Sequence, residues 1–235
     1  MTINSSTGAF SWTPSEAQGP ATYNVTVTAT DDGTPNEADS EVFTITVSEV
    51  NRDPETVDDN ITVAEGGTAT VLVSDATSLL ANDTDPDVPA NTLTVNTTPV
   101  VAPTNGTVTL QSNGTFSYTH DGGETTSDSF EYEVSDGTGG TNLATVFITV
   151  TPVNDAPELP SIDDITIDEM VAYNTTFTAT DAENNTLTYS LDAASLAAGM
   201  TINSSTGAFS WTPSEAQGPG SFDVTVRVEE TNDPN

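Results

Sequence analysis

Residues 1–20 read MTINSSTGAFSWTPSEAQGP, and residues 200–219 read the same, letter for letter. Identity over that length is not a chance event within one chain, so the sequence is an array with a period of 199 residues. Beyond the identity the copies drift but stay in phase, ATYNVTVTATDDGTPN at 21–36 against GSFDVTVRVEETNDPN at 220–235. The period-two alternation survives, with Tyr23, Val25 and Val27 matched by Phe222, Val224 and Val226, and so does the Pro-Asn ending. Alternation with a period of two is the signature of a half-buried strand, and this decides for an all-β chain.

Composition agrees. The 235 residues are 34% hydrophobic and dominated by Thr, Val, Asn, Asp, Ser and Gly, with no long amphipathic helical period. Such a mix favours many short strands separated by turns. The net charge is −34, and the only basic side chains are Arg52 and Arg227. A surface this anionic repels nucleic acid and anionic lipid, which excludes both as partners. No run of 18 apolar residues and no secretory leader is present, so no membrane insertion is expected. Cysteine is absent, so disulfides contribute nothing. Ten Asn-x-Ser/Thr triplets, Asn24, Asn60, Asn105 and Asn174 among them, are what so much Asn and Thr produces, and they leave glycosylation open.

Three segments follow. Residues 1–51 carry four strand signals, 1–3, 9–12, 22–29 and 41–50, and read as the C-terminal half of a sandwich. Residues 52–153 start inside the linker Asn51-Arg52-Asp53-Pro54. They carry seven strand signals, at 60–63, 68–73, 92–98, 106–110, 115–118, 129–134 and 144–151. Seven short strands in about 100 residues, punctuated by Asn113-Gly114 and Asp-Gly turns, are the pattern of an Ig-like antiparallel β-sandwich. Residues 154–235 start in the linker Val153-Asn154-Asp155-Ala156-Pro157. Their signals are 164–167, 175–180, 187–191, the repeated stretch and 222–228, without a closing strand like 41–50. The expected architecture is tandem Ig-like sandwiches in a linear array, either a window cut from a longer array or a unit built to join end to end.

The acidic residues cluster where such domains meet. Ca²⁺ takes six to eight oxygens, mainly carboxylate, carbonyl and Asn side-chain oxygens. Loops at facing ends of two sandwiches, with the linker between them, can supply that set. At the first junction the candidates are Glu16, then Asn51 and Asp53 of the linker. Asp83, Asp85 and Asp87 follow, at i, i+2, i+4 in NDTDPD, and then Asp136 in SDGTGG. At the second they are Glu65 with Asp121, Glu124 or Asp128, then Asn154 and Asp155, then Asp181 and Glu183 with Glu229 or Glu230.

These stretches resemble the cadherin-like repeats of large bacterial surface proteins. Residues 158–235 and 1–51 look like the dystroglycan-type cadherin-like domain, through DEMVAYNTTFTATDAENNTLTYSL and GMTINSSTGAFSWTPSEAQGPGSFDVTV. Residues 55–153 look like the VCBS or bacterial cadherin-like repeat, through VAEGGTATVLV, LLANDTDPD, DSFEYEVSDGTGG and VNDAP. The resemblance implies interdomain Ca²⁺ and service as an extender in adhesins or as an accessory domain of secreted enzymes. It also implies that Glu65 in VAEGG and Glu169 in IDEM reach toward the next junction. Glu183 departs from it, since Asn184-Asn185 follows where Asp-Gly-Asp is common, and so does Glu229-Glu230-Thr231 for Thr30-Asp31-Asp32.

No enzymatic constellation stands out. His120 is the only histidine and reads as an exposed turn residue. Acid pairs could imitate a glycosidase pair, but they recur at each junction, which suits a structural ion. Trp12 and Trp211 hold equal phase in a strand and read as packing residues. The expectation is a non-catalytic, Ca²⁺-rigidified extender of a secreted or cell-surface protein, an adhesin or filament, whose partners are neighbouring repeats. The alternatives are a carbohydrate-binding module with polysaccharide as partner, and head-to-tail self-assembly in which residues 37–50 donate a strand to a neighbour.

Overall fold

The computed structural model describes residues 1–231, so the Pro-Asn ending at 234–235 lies outside the described residues. The chain is almost entirely β and divides into two compact units, residues 1–151 and 152–235.

The first unit opens with two hairpins. Strands β1 (Thr2–Ile3) and β2 (Phe10–Ser11) pair across a turn set by Asn4, whose Oδ1 accepts from the backbone N–H of Ser6 and Thr7 at 3.0 Å. That is an Asx turn, the local chemistry for which Asn competes best. Strands β3 (Ala21–Thr30) and β4 (Ala38–Val47) then pair antiparallel along their full length, Ala21 opposite Val47 and Thr30 opposite Ala38. Asp31 holds their turn by accepting from Gly33 and Glu37 N–H, and those bonds keep its carboxyl below the ordinary range. Alternation puts Tyr23, Val25, Val27, Phe43, Ile45 and Val47 on one face, where Phe43 meets Phe10 edge-on at 5.9 Å.

The rest of the unit is a two-layer sandwich. One sheet runs in the order β5 (Asp59–Ala64), β11 (Thr141–Thr151), β10 (Ser127–Ser135), β7 (Thr94–Val95). The other runs β6 (Thr68–Ala69), β9 (Phe116–His120), β8 (Gly106–Leu110). Inward residues interleave into one core of Ile61, Val63, Leu72, Leu79, Leu110, Phe116, Tyr118, Phe130, Tyr132, Val146 and Ile148. β5 pairs with β11 parallel, with Asp59 opposite Val146, while every other pairing in this sandwich is antiparallel.

The second unit has strands β12 (Tyr173–Thr176), β13 (Leu187–Leu191), β14 (Thr201–Ile202), β15 (Ala208–Trp211) and β16 (Val226–Glu230). β12, β15 and β14 form one sheet and β13 with β16 the other, around Leu191, Met200 and Phe209. A short helix, α1 (Ala193–Ala197), lies between β13 and β14; Asp192 caps it by accepting from Ser195 N–H.

Two strand expectations shift. Residues 164–167 alternate like a strand but form none: Ile165 is exposed, and among the described residues no strand pairs with them. The 222–228 signal appears as 226–230 only, because β16 is strand where β13 faces it. Its counterpart β3 runs ten residues because β4 pairs along all of it.

Candidate metal centre

The acidic loops of the sandwich are built on the linker. Glu55 and Thr84 exchange backbone hydrogen bonds of 2.8 and 3.0 Å, tying residues 51–55 to residues 82–91. Asp85 Oδ1 accepts from the N–H of Asp87 and Asn91, which leaves its Oδ2 buried with no hydrogen-bond partner. Both Asp87 oxygens face the Arg52 N–H at 3.2 Å. Asn51 donates to Asp136 Oδ2 at 2.7 Å, and Asn91 donates to Asn51 Oδ1 at 3.2 Å. Asp136 also gathers the N–H groups of Thr138, Gly139 and Gly140. Burial works against its ionisation, yet the donors from Asn51, Thr138 and Gly140 prevail and hold its carboxyl at about 2. The three glycines in SDGTGG make this possible: a β-carbon at Gly140 would run into the Asp136 carboxylate and lie 3.0 Å from Asn51 Nδ2 and Asp53 Oδ1.

Glu16 sits in a one-turn helix, Glu16–Gln18, whose entry is a capping box between Ser15 and Gln18. Its carboxylate, that of Glu49 and that of Asp87 each bring an oxygen within 4.8 Å of the others. Glu49 was not among the expected ligands; it stands two residues before Asn51, at the end of a strand-like run. Burial first, then the charges of Glu16 and Asp87, push its carboxyl above the ordinary range. Three carboxylates at this distance repel one another unless a cation or a proton lies between them.

The second unit repeats the plan. Glu158 and Thr180 exchange backbone bonds of 2.8 and 2.9 Å. Asn185 N–H donates to Asp181 Oδ1 as Asn91 does to Asp85, and Asp155 N–H donates to Glu183 as Arg52 does to Asp87. Asn185 bonds Asn154 Oδ1 at 2.8 Å, and Asn154 bonds Glu230 at 2.7 Å. Asp181 Oδ2 and Glu183 Oε2 are buried without a partner, as Asp85 Oδ2 is. Asn91 and Asn185, also absent from the expected set, brace both loops. The signal was in the sequence as DPDVPAN against DAENN.

Other expected residues fall elsewhere. Asp83 also has a buried Oδ2 without a hydrogen-bond partner, but its other contacts are with the sandwich. Its Oδ1 accepts from Val57 N–H, and its charge bears on Asp59 and Tyr132. The i, i+2, i+4 run therefore divides, two carboxylates with the linker and one inside the sandwich. Asp128 is engaged by the N–H of Thr104, Asn105 and Ser129 and by the Tyr118 hydroxyl, as a clasp between strands. Asp121 accepts from Gly123 N–H in its own turn. Glu65 and Glu124 bring carboxylate oxygens within 4.8 Å of one another. Glu169 lies against Gly218, in the loop that holds Glu215, the repeat counterpart of Glu16. His120 is buried rather than exposed. Its Nδ1 accepts from Gly66 and Gly122 N–H and its Nε2 meets Thr125 Oγ1 at 2.8 Å, so both ring nitrogens pin loops together. Trp12 and Trp211 pack edge-on against Tyr23 and Phe222, with centroids 4.9 and 5.1 Å apart.

Sequence and fold comparisons agree on one kind of protein. Residues 51–152 match the model of the bacterial cadherin-like domain, and residues 1–48 and 156–234 match that of the putative Ig domain, which covers more than half of the chain. No curated protein matches by sequence. Among solved structures, mouse cadherin-23 EC22-24 is 20% identical with a TM-score of 0.56, over 90% of this chain and 70% of that one. Protocadherin gamma B7 extracellular cadherin domains 1-4 give 22% and 0.54, over 93% and 55%. The EC3-6 cis-dimer structure of protocadherin gammaB7 gives 22% and 0.50, over 92% of this chain. This chain spans 57% of the length of that EC3-6 protein. At these identities the likeness is one of fold. Among the described residues no helix is long and apolar enough to cross a membrane.

Proposed function

Because the chain belongs to the putative Ig-domain family and carries a bacterial cadherin-like domain between its two Ig-type segments, we propose that it is a non-catalytic extender repeat stiffened by Ca²⁺. Its place is then outside the cell, in a secreted or surface-bound adhesin-type protein whose neighbours are further repeats.

The observation that carries this reading is the orphaned oxygen of Asp85, matched by Asp181 and Glu183. A buried carboxylate oxygen without a donor is costly, and one recurring at equivalent positions of two loops supports a role as cation ligand. The donor set consists of carboxylate and amide oxygens, which suits a hard cation. Glu16, Glu49, Asn51, Asp53, Asp85, Asp87 and Asp136 would hold it at the first loop cluster. Asn154, Asp155, Asp181, Glu183 and Glu230 would hold it at the second. Bound there, Ca²⁺ supplies the positive charge that close carboxylates lack. The chain's own part is to place them: Asn51 and Asn154 tie linker to loop, and Glu49 and Glu16 bring the preceding hairpins against it.

Calorimetric melts of the same sample in Ca²⁺ and in chelator test this. A rise in melting temperature with Ca²⁺, abolished for the first unit by Asp85→Asn with Asp87→Asn, is the expected result; at saturation a hundred times Kd the gain is about 2.7 kcal/mol. Identical melts in both solutions would overturn it.

A further inference from the structure

The middle sandwich encloses two carboxylates that the linker site does not use. Asp59, at the start of β5, is 3% exposed, and Asp83, just after the one-turn helix Leu79–Ala81, is 9% exposed. Both bear on the hydroxyl of Tyr132 from β10, which is fully buried. Asp59 Oδ2 accepts from that hydroxyl at 2.8 Å, and the Leu79 carbonyl lies 3.2 Å from it. Asp59 Oδ1 accepts from Asn82 Nδ2 at 3.2 Å, and Asp83 Oδ1 from Val57 N–H at 2.9 Å. Asp83 Oδ2 is buried without a hydrogen-bond partner.

Positive charge is short here. A phenol carries one proton, while Asp59, the Leu79 carbonyl and Asp83 all converge on it, so it can serve one of the three. The chain has two basic side chains: Arg52 turns to Glu55 and the Pro86 carbonyl, and Arg227 to Glu229. Buried carboxylates are otherwise paired, or they coordinate a metal. Burial raises both carboxyls, that of Asp59 to about 6, so at neutral pH Asp59 is largely ionised and keeps no proton for the pair.

We propose that Asp59, Asp83, the Tyr132 hydroxyl and the Leu79 carbonyl form a site for one alkali cation of sodium size within the sandwich, apart from the Ca²⁺ site of the linker. These four oxygens are fewer than the six to eight that Ca²⁺ takes, and two of the groups are neutral. A single positive charge matches the need. The phenol proton serves one carboxylate and the ion the other, while the phenol oxygen keeps a lone pair for the ion. The low ligand number favours a small alkali ion over potassium. A groove beside β5, lined by Asp58, Asp59, Ser74 and Asn82 among others, gives the ion an acidic approach. The ligands come from β5, β10 and the segment 79–83, so the ion ties these three together.

Calorimetric melts of the full chain test this, in chelator throughout, at neutral pH and equal ionic strength in sodium or tetramethylammonium chloride. The transition of the middle sandwich should lie several degrees higher in sodium, with potassium between. Asp83→Asn should remove the difference. Asp75→Asn, which deletes an exposed charge of the same domain, should keep it. Asp85→Asn with Asp87→Asn should keep it too, which separates this site from the Ca²⁺ reading. If Asp83→Asn does not fold, Tyr132→Phe, which retains the ring, should shrink the sodium gain in its place. Sodium NMR relaxation of the wild-type chain should show one saturable class of bound ion, displaced by lithium and not by tetramethylammonium. Equal melts in the two salts, a sodium gain as large in the variant as in the wild type, or no saturable sodium would each overturn the proposal.

Discussion

Asn51 and Asp136, 85 positions apart in the chain, are joined by a 2.7 Å hydrogen bond that fastens the linker to the loop after β10. Asn154 and Glu230 repeat the bond at the same length in the second unit. The amide donates to the carboxylate and accepts, in each case, from an asparagine of the acidic loop. Asn51→Ala leaves Asp136 with its backbone donors and removes one of the ties that hold the linker, beside those of Arg52 N–H to Asp87 and Glu55 to Thr84. Urea unfolding should show a loss of about 1.5–3 kcal/mol, the range for a hydrogen bond to a charged group. An unchanged midpoint would show that the linker is held without it.

Asp83 and Asp85 differ by two positions and should differ in kind. Asp85→Asn is expected to weaken Ca²⁺ binding in titration calorimetry. Asp83→Asn should leave binding intact and change only the stability of the sandwich, because its carboxylate faces Val57 and the Asp59–Tyr132 pair. Equal loss of binding in both variants would return Asp83 to the ion site.

Asp59 is 3% exposed and accepts from the Tyr132 hydroxyl at 2.8 Å. Burial, outweighing the hydrogen bonds of Tyr132 and Asn82 and aided by the charge of Asp83, moves its carboxyl from 3.8 to about 6. The folded state therefore holds this proton more tightly than the unfolded chain does. Stability linked to Asp59 is present in full below about 4, falls as pH rises through 6, and amounts to roughly 3 kcal/mol. Asp59→Asn should flatten that part of the slope between pH 4 and 7 in thermal melts, leaving the part due to general charge repulsion. A slope identical to wild type would assign the whole pH response to the surface.

Gly8 and Gly207 share a positive φ, +70° and +68°, and an identical flanking sequence. Alanine at position 8 meets only the backbone cost, about 1–2 kcal/mol for a left-handed residue. Alanine at 207 adds a collision with the Phe177 carbonyl and a tight approach to Tyr189 at 3.1 Å. Gly207→Ala should lower the melting temperature of the second unit far more than Gly8→Ala lowers that of the first. Equal effects would show that the Phe177 carbonyl does not restrict position 207.

Much of this was legible in the sequence. Alternation around Val25 marked a strand, Asn113-Gly114 a hairpin, and the twenty repeated residues a recurring unit. The acidic loops were legible through DTDPD and SDGTGG. What escaped were properties of partners. Whether residues 164–167 or 222–225 become strand depends on a neighbour to pair with, which no local pattern reports. Glu49 sat inside a strand-like run and gave no turn signal, and Asp83 looked like its neighbours until Val57 N–H claimed it. His120 was read as exposed because Asp121 and two glycines follow it; the fold turns its ring inward to bind two loops.

The parallel pairing of β5 with β11 decides how the middle sandwich meets a pulling force. The linkers at 51–54 and 152–157 lead into the start of β5 and out of the end of β11, and in a parallel pair those ends point opposite ways. Tension along the chain therefore loads the hydrogen bonds from Asp59–Val146 to Ala64–Thr151 in shear, all at once, instead of unzipping them one by one. Rupture then needs several bonds to fail together, so the strand pair that closes the domain is also its mechanical clamp.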